Sequence, residues 1–125
     1  IRLFRLLHEL DYKLPRIFSP KSYVSKNAQI GEGTVVFHDS IVNAYAKVGK
    51  NCIINSKVLV EHDAVIGDHC HISTGAVLNG NVVVGNESFI GTGVVTCDSI
   101  SVGNNCVIGA GVVLKRSIKS DQVVK

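Results

Sequence analysis

Residues 25–72 read SKNAQI-GEGTVV-FHDSIV-NAYAKV-GKNCII-NSKVLV-EHDAVI-GDHCHI, eight consecutive six-residue units that each end in valine or isoleucine. The period continues on both sides: an aliphatic residue stands at every sixth position from Val24 to Leu114, and Thr96 is the one exception. Four residues after each of these comes a mostly small or β-branched residue, as at Ala28, Thr34, Ser40, Ala46, Cys52, Val58, Ala64 and Cys70. Helices and strands repeat their side chains every 3.6 and 2 residues, so neither explains a period of six.

A chain wound into triangular coils does explain it, because each unit then forms one short strand and one turn. Five glycines support three units per coil, since they recur every eighteen residues, at Gly31, Gly49, Gly67, Gly85 and Gly103. Each follows an aliphatic residue, where a corner needs either φ freedom or room for close backbone approach. We expect sixteen uninterrupted units over residues 24–119, with the aliphatic residues stacked along the axis.

The cysteines fit this packing. Cys52, Cys70 and Cys106 fall in one inward column, and Cys97 lies outside it with nothing nearby to activate it. No CxxC pair is present, so we expect reduced thiols and no metal site.

Charge and hydropathy exclude several classes of function. The net charge of +3 is small and scattered, which argues against nucleic-acid binding. The one local excess, Lys115, Arg116, Lys119 and Lys125, is interpreted as a solvated end, with phosphate binding as the alternative. No apolar run approaches the roughly 20 residues of a membrane span, and no signal peptide is evident, so a cytoplasmic protein without membrane contact is expected.

The first twenty residues differ from the rest. Ile1, Leu3, Phe4, Leu6, Leu7 and Leu10 form a helical stripe, and Arg16–Phe18 predicts a short strand. We interpret residues 1–20 as the helix and strand that end an N-terminal substrate domain, and residues 21–125 as the β-helix domain. Packing of the helix on the β-helix end or on another subunit is the alternative.

One stretch resembles a known family. It comprises Ile54-Asn55-Ser56, Val60-Glu61-His62-Asp63, Ile66-Gly67-Asp68, His71–Ala76, Leu78–Asn81 and Phe89-Ile90-Gly91. These motifs resemble one family of left-handed β-helix acetyltransferases. Its members include sialic acid O-acetyltransferases and N-acetyltransferases of nucleotide-linked 4-amino sugars. The resemblance implies an all-β, left-handed parallel β-helix of hexapeptide repeats after a short α/β remnant of a Rossmann-like domain. It also implies a homotrimer that holds acetyl-CoA between neighbouring β-helices.

The resemblance assigns roles residue by residue. It implies that His62 is the general base, that Asp63 raises its basicity and that His71 contacts acetyl-CoA. It places Asn55 near the acceptor sugar, and it places the backbone of Thr92 and Ala110, beside Gly91 and Gly109, along the pantetheine arm. The family usually ends in a Gly-x-Pro-Ala-Lys-like phrase, which this sequence lacks.

Elementary chemistry supports the same site. Acetyl transfer needs a base, an oxyanion donor and a groove, and histidine titrates near neutral pH. Glu61 and Asp63 flank His62, so either carboxylate can orient its ring, and we expect Glu61 to bind the acceptor substrate together with Asn55. Because 62 + 18 = 80, Gly80 is expected beside His62 in the next coil, offering space and a backbone N–H to the thioester oxygen.

Three alternatives stand beside N-acetylation of a nucleotide-linked amino sugar for surface glycans. Sialic acid O-acetylation uses the same base and donor. A trimeric β-helix that has lost catalysis is the non-enzyme alternative. A three-histidine metal enzyme on this fold is disfavoured, because the histidine spacings of seven and two at His62, His69 and His71 do not match it.

Overall fold

The computed structural model describes all residues from 1 to 125 and contains one helix and eighteen two-residue strands. The helix, α1, spans Arg2–Glu9. The strands are β1 (Ile17–Phe18), β2 (Tyr23–Val24), β3 (Gln29–Ile30), β4 (Val35–Val36), β5 (Ile41–Val42), β6 (Lys47–Val48), β7 (Ile53–Ile54), β8 (Leu59–Val60), β9 (Val65–Ile66), β10 (His71–Ile72), β11 (Val77–Leu78), β12 (Val83–Val84), β13 (Phe89–Ile90), β14 (Val95–Thr96), β15 (Ser101–Val102), β16 (Val107–Ile108), β17 (Val113–Leu114) and β18 (Val123–Val124).

Strands one coil apart pair in parallel, so the strands form three flat faces of a β-helix. Face A contains β1, β4, β7, β10, β13, β16 and β18; face B contains β2, β5, β8, β11, β14 and β17; face C contains β3, β6, β9, β12 and β15. The register joins residues eighteen apart, as in the pairing of Ile53 with His71 and of His71 with Phe89. The predicted coil of three units is therefore confirmed.

The core is the column of periodic side chains. A cluster of 24 buried hydrophobic residues runs along the axis, and Ile54, Ile72 and Leu78 are completely inaccessible to solvent. Burying each such side chain contributes about 1.5–3 kcal/mol, and β-branched residues suit short strands. Thr96 is the one polar residue in the inward aliphatic series. Its hydroxyl has a hydrogen-bond partner, because it accepts from the Asn79 backbone N–H at 3.0 Å.

The cysteine column packs as predicted. Cys52 and Cys70 are buried, and their thiols donate to the carbonyls of Gly67 and Gly85, each at 3.1 Å. Cys106 is buried in the same column, whereas Cys97 is exposed.

The corner that leads from face C to face A, called the C–A corner, contains the glycines that recur every eighteen residues. None of these five glycines has a positive φ. A Cβ on Gly85 would instead lie 2.6 Å from backbone atoms of Gly103 and Asn104, so close backbone approach explains the glycines. Side-chain hydrogen bonds also link neighbouring coils at this corner. Asp68, Asn86 and Asn104 each accept a hydrogen bond from the backbone N–H of a residue one coil below, with N···O distances of 2.8 Å.

The last coil departs from the predicted period. Ile118 bridges to Val102, and Val123–Val124 pairs with Val107–Ile108, an offset of 123 − 107 = 16 residues. The expectation of uninterrupted six-residue units to residue 119 was therefore wrong for the final unit. Ile118 occupies the inward position that strict periodicity would have given to the polar Ser120.

Helix α1 lies against the C–A corner in the lower coils. The Phe4 ring contacts the His69 ring edge-on with centroids 5.2 Å apart, and His8 Nε2 lies 3.0 Å from Glu32 Oε1. Leu3, Leu6 and Leu10 point outward and are 67%, 47% and 59% exposed. The strand predicted near residue 17 is present and joins face A. The interpretation of residues 1–20 as the end of an upstream domain stays a prediction.

Candidate active site

The corner between faces B and C, called the B–C corner, presents His62 and Asp63 to solvent. His62 Nδ1 lies 2.9 Å from Asp63 Oδ2, and the two side chains are 57% and 50% exposed. This hydrogen bond raises the pKa of His62, with smaller contributions from the negative charges of Asp63, Glu61 and Asp98. Because an ionised carboxylate only accepts, Nδ1 carries the proton and Nε2 of the neutral ring has a free lone pair.

Glu61 has a different partner. Its Oε2 accepts a hydrogen bond from Asn43 Nδ2 at 2.9 Å, one coil below, and the backbone N–H of His62 approaches the same oxygen at 3.3 Å. Of the two carboxylates that flank His62, Asp63 is therefore the one that orients the ring.

Gly80 lies where the eighteen-residue register places it. A Cβ on residue 80 would stand 2.7 Å from His62 Nε2 and 2.8 Å from Cε1, so the imidazole lies over this glycine. The N–H of Gly80 donates to no acceptor within the chain. The base and a free N–H donor are thus adjacent.

His71 lies on face A, one coil below Phe89, whose ring it meets edge-on at 5.2 Å. Burial lowers the pKa of His71, which keeps the ring neutral at pH 7. The Asn55 amide lies 3.3 Å from Nε2, and Asn55 Oδ1 accepts the Ser56 N–H at 2.8 Å. This second bond directs Asn55 Nδ2 towards the ring, so Nε2 accepts and Nδ1 carries the proton as a free donor.

The two groups of predicted residues do not meet within one chain. The structure brings Glu61, His62, Asp63 and Gly80 together at the B–C corner, and it brings Asn55 and His71 together at one edge of face A. In a three-sided coil the B–C corner is opposite face A. His62 and His71 therefore point away from each other.

The corner from face A to face B, called the A–B corner, contains the remaining predicted residues. The N–H groups of Thr92 and Ala110 donate to no acceptor within the chain. A Cβ on Gly91 would stand 2.7 Å from Ala110 N, so these coils stack closely. An open strip of glycines, Gly75, Gly93 and Gly111, follows, with no atom within 4 Å of an added Cβ. These features are consistent with a surface along which an extended chain of amides can bind.

Two neighbours of the site were not singled out from the sequence. Asp98 lies two coils above His62, since 62 + 36 = 98, and Asn43 holds Glu61 from below. The same eighteen-residue spacing that predicted the position of Gly80 also predicts the positions of these two residues.

The concave parts of this chain's surface lie elsewhere. A groove of about 250 Å³ is lined by Ile17, Phe18 and Phe37 at the lower end of face A, and a second groove lies beneath α1. No group of three or more His, Cys, Asp or Glu side chains is arranged to hold a metal ion. None of its helices is long and apolar enough to cross a membrane.

Comparison with known proteins defines the class. The family model for bacterial transferase hexapeptide (six repeats) matches residues 45–80 and 81–116, more than half of the chain. The chain therefore belongs to the bacterial hexapeptide-repeat transferases, and its fold is the left-handed β-helix of hexapeptide repeats. A search of curated proteins gave no match.

Comparison with solved structures shows which members of this class the chain is similar to. The acetyltransferase domain of PglB from Neisseria gonorrhoeae is 34% identical with a TM-score of 0.97, over 98% of this chain and 60% of that one. Perosamine N-acetyltransferase from Caulobacter crescentus is 29% identical with a TM-score of 0.95, over 99% and 60%. WeeI from Acinetobacter baumannii is 28% identical with a TM-score of 0.93, over 99% and 61%. This chain thus spans about 60% of the length of these proteins.

Proposed function

We propose that this protein transfers the acetyl group of acetyl-CoA to the amine of a nucleotide-linked amino sugar for glycan synthesis. The observation that carries the proposal is the His62–Asp63 pair, whose free Nε2 lies over Gly80, a residue whose N–H has no acceptor within the chain. Similar proteins were solved with acetyl-CoA and with CoA and GDP-perosamine, which supports this pair of substrates. The cytoplasm is the compartment in which we expect both substrates to be available.

In this proposal the acetyl group moves directly from sulfur to nitrogen. The neutral amine attacks the thioester carbonyl, and His62 Nε2 takes one N–H proton as the N–C bond forms. The C–S bond then breaks, and the thiolate of CoA recovers that proton from His62. Asp63 stabilises the imidazolium that exists between these two steps.

Four hydrogen-bond donors are available for acetyl-CoA. The free N–H of Gly80 is suited to the oxyanion that develops on the thioester oxygen. His71 is neutral and offers its Nδ1–H, because Asn55 occupies Nε2. The role of Asn55 supported by these contacts is to orient His71, while its predicted contact with the acceptor sugar stays a prediction. The free N–H groups of Thr92 and Ala110 are suited to the amide carbonyls of the pantetheine arm.

The separation of the two histidines supports the homotrimer that the family resemblance implies. Because His62 and His71 lie on opposite sides of one chain, a site that uses both requires face A of one subunit against the B–C corner of the next. Such a head-to-tail contact repeats from copy to copy and forms a ring when the rotation closes, and the family resemblance gives three as the number of copies.

The exposed apolar side chains support the same assembly. On face A, Ile53, Phe89 and Val107 are 38%, 38% and 43% exposed, an apolar surface typical of an interface. Face C exposes Gln29, Lys47 and Ser101 beside two valines, so it is less apolar than face A.

The charges near His62 favour an amine acceptor over sialic acid. Glu61, Asp63 and Asp98 surround one histidine, and each raises its pKa, which shows that the local field is negative. An acceptor that arrives as an ammonium is attracted to such a corner and loses one proton to solvent before it reacts as the neutral amine, whereas the carboxylate of sialic acid is repelled.

Calorimetry and turnover together test the proposal. The complete protein is expected to bind acetyl-CoA, and His71→Ala is expected to weaken that binding. With a nucleotide-linked 4-amino sugar, His62→Ala is expected to lower kcat about 100- to 10,000-fold while acetyl-CoA binding survives. His38→Ala, an exposed histidine on the A–B corner, is the matched control and should change neither quantity. Absence of acetyl-CoA binding would instead support a β-helix that has lost catalysis.

A further inference from the structure

We infer that Asp98 is a specificity-determining residue that accepts the second N–H of the acceptor amine and so selects amines over hydroxyls. The inference rests on the proposed function and adds a residue to it. Asp98 occupies the same position of its coil as His62 and Gly80 occupy in theirs, since 62, 80 and 98 are spaced by eighteen.

The missing side chain at Gly80 lets the imidazole of His62 rise towards Asp98. Adjacent coils are about 4.8 Å apart, so the backbone of Asp98 lies roughly 10 Å above that of His62. The imidazole already reaches the level of Gly80, because Nε2 lies 2.7 Å from the position of a Cβ there. About one coil spacing remains between Nε2 and the level of Asp98, which fits one nitrogen atom hydrogen-bonded on both sides.

Asp98 is available for such a contact. Its side chain is exposed, and it takes part in none of the three ion pairs or the side-chain hydrogen bonds of the chain. Arg116 occupies the turn of the next coil at the same corner but forms no ion pair with it. The other two carboxylates at this corner are engaged, Asp63 by the ring of His62 and Glu61 by Asn43.

The number of hydrogens on the nucleophile makes Asp98 selective. A neutral amine has two N–H groups and one lone pair, so it can donate to both His62 Nε2 and Asp98 while the lone pair faces the thioester. A hydroxyl has one hydrogen, which His62 must take, so an oxygen lone pair would then face the carboxylate. A site built for a donor rejects an analogue that lacks it, because a polar group is left unpaired.

Steady-state kinetics on the complete protein test the role of Asp98, with Asp98→Asn compared against Asp39→Asn. Asp39 is a matched control because it is an exposed carboxylate at a different corner, the A–B corner. Asp98→Asn is expected to raise KM for a nucleotide-linked amino sugar about five- to tenfold, because the amide oxygen still accepts the N–H but without the charge that strengthens the hydrogen bond. KM for acetyl-CoA should not change, and the preference for the amine over the matching hydroxyl sugar should fall.

The pH profile separates a direct contact from a structural effect. Loss of the Asp98 charge lowers the pKa of His62, so the acidic limb of kcat should move to lower pH, while Asp63 and Glu61 keep it above the value for free histidine. If Asp98→Asn and Asp39→Asn have the same amine KM and the same amine preference, the inference is overturned although the proposed function stands. If the unsubstituted protein acetylates no amino sugar, the proposed function fails and the inference fails with it.

Discussion

The imidazole of His62 lies directly over Gly80 of the next coil, with Nε2 2.7 Å from the point where a Cβ on residue 80 would stand. This contact couples a backbone position to the placement of the candidate base. Any side chain at residue 80 must displace the ring, because both atoms cannot occupy the same space.

Gly80→Ala is therefore expected to lower kcat about a hundredfold, the usual cost of misplacing a catalytic group by about 1 Å. The fold should persist, because Gly80 has no positive φ and the added methyl meets only the end of an exposed side chain. Turnover and the melting temperature of the same variant check both statements. An unchanged kcat would show that His62 acts from another position.

Much of the fold was predictable because one period controls it. The aliphatic residue of each unit had to point inward, and the register of eighteen then located Gly80 beside His62. The recurrent glycines were found too, although only the structure distinguishes close approach from φ freedom. The shortened last coil was not predictable, since Ile118 and Ser120 differ by two positions and no Gly or Pro marks the change.

The site was less predictable than the fold. His62 and His71 lie on opposite sides of one chain. Residues that are close together in the sequence motif therefore do not form one complete site within a single chain. Asp98 was overlooked because it carries no motif and only its place in the coil connects it to His62.

Asp63→Asn should shift the pH dependence of acetyl transfer. The carboxylate of Asp63 raises the pKa of His62, and the base must be neutral to act, so activity of the unsubstituted protein falls as the pH drops below that raised pKa. Removing the charge lowers the pKa, so the acidic limb moves to lower pH. The maximal rate should also fall, because an amide can hold the wrong tautomer. Asparagine is the substitution of choice, since residue 63 has a φ of 60° that asparagine tolerates.

Titration of the His62 ring protons by NMR measures that pKa directly. An equal pKa in the unsubstituted protein and in Asp63→Asn would contradict the assigned hydrogen bond.

Gly85→Ala should destabilise the coil without involving the active site. Its Cβ would lie 2.6 Å from backbone atoms of Gly103 and Asn104, and backbone cannot rotate away as a side chain can. We expect a loss of about 1–3 kcal/mol in the free energy of unfolding, the range for overpacking. Cys97→Ala, at an exposed position of another corner, is the control and should change stability by less than about 0.5 kcal/mol. Equal denaturation midpoints for the two variants would refute the close-approach explanation.

The proposed trimer predicts complementation between two defective subunits. His62→Ala retains His71, and His71→Ala retains His62, so either variant alone lacks one half of every site. If each site takes His62 from one subunit and His71 from its neighbour, every trimer that contains both variants has an intact pair at one of its three sites, or about a third of the normal number. Co-expression with two affinity tags, followed by turnover of the doubly tagged species, measures this fraction. Recovery should be absent when separately purified trimers are mixed without exchange, and a doubly tagged species with no recovered activity would place both histidines in the same subunit's site.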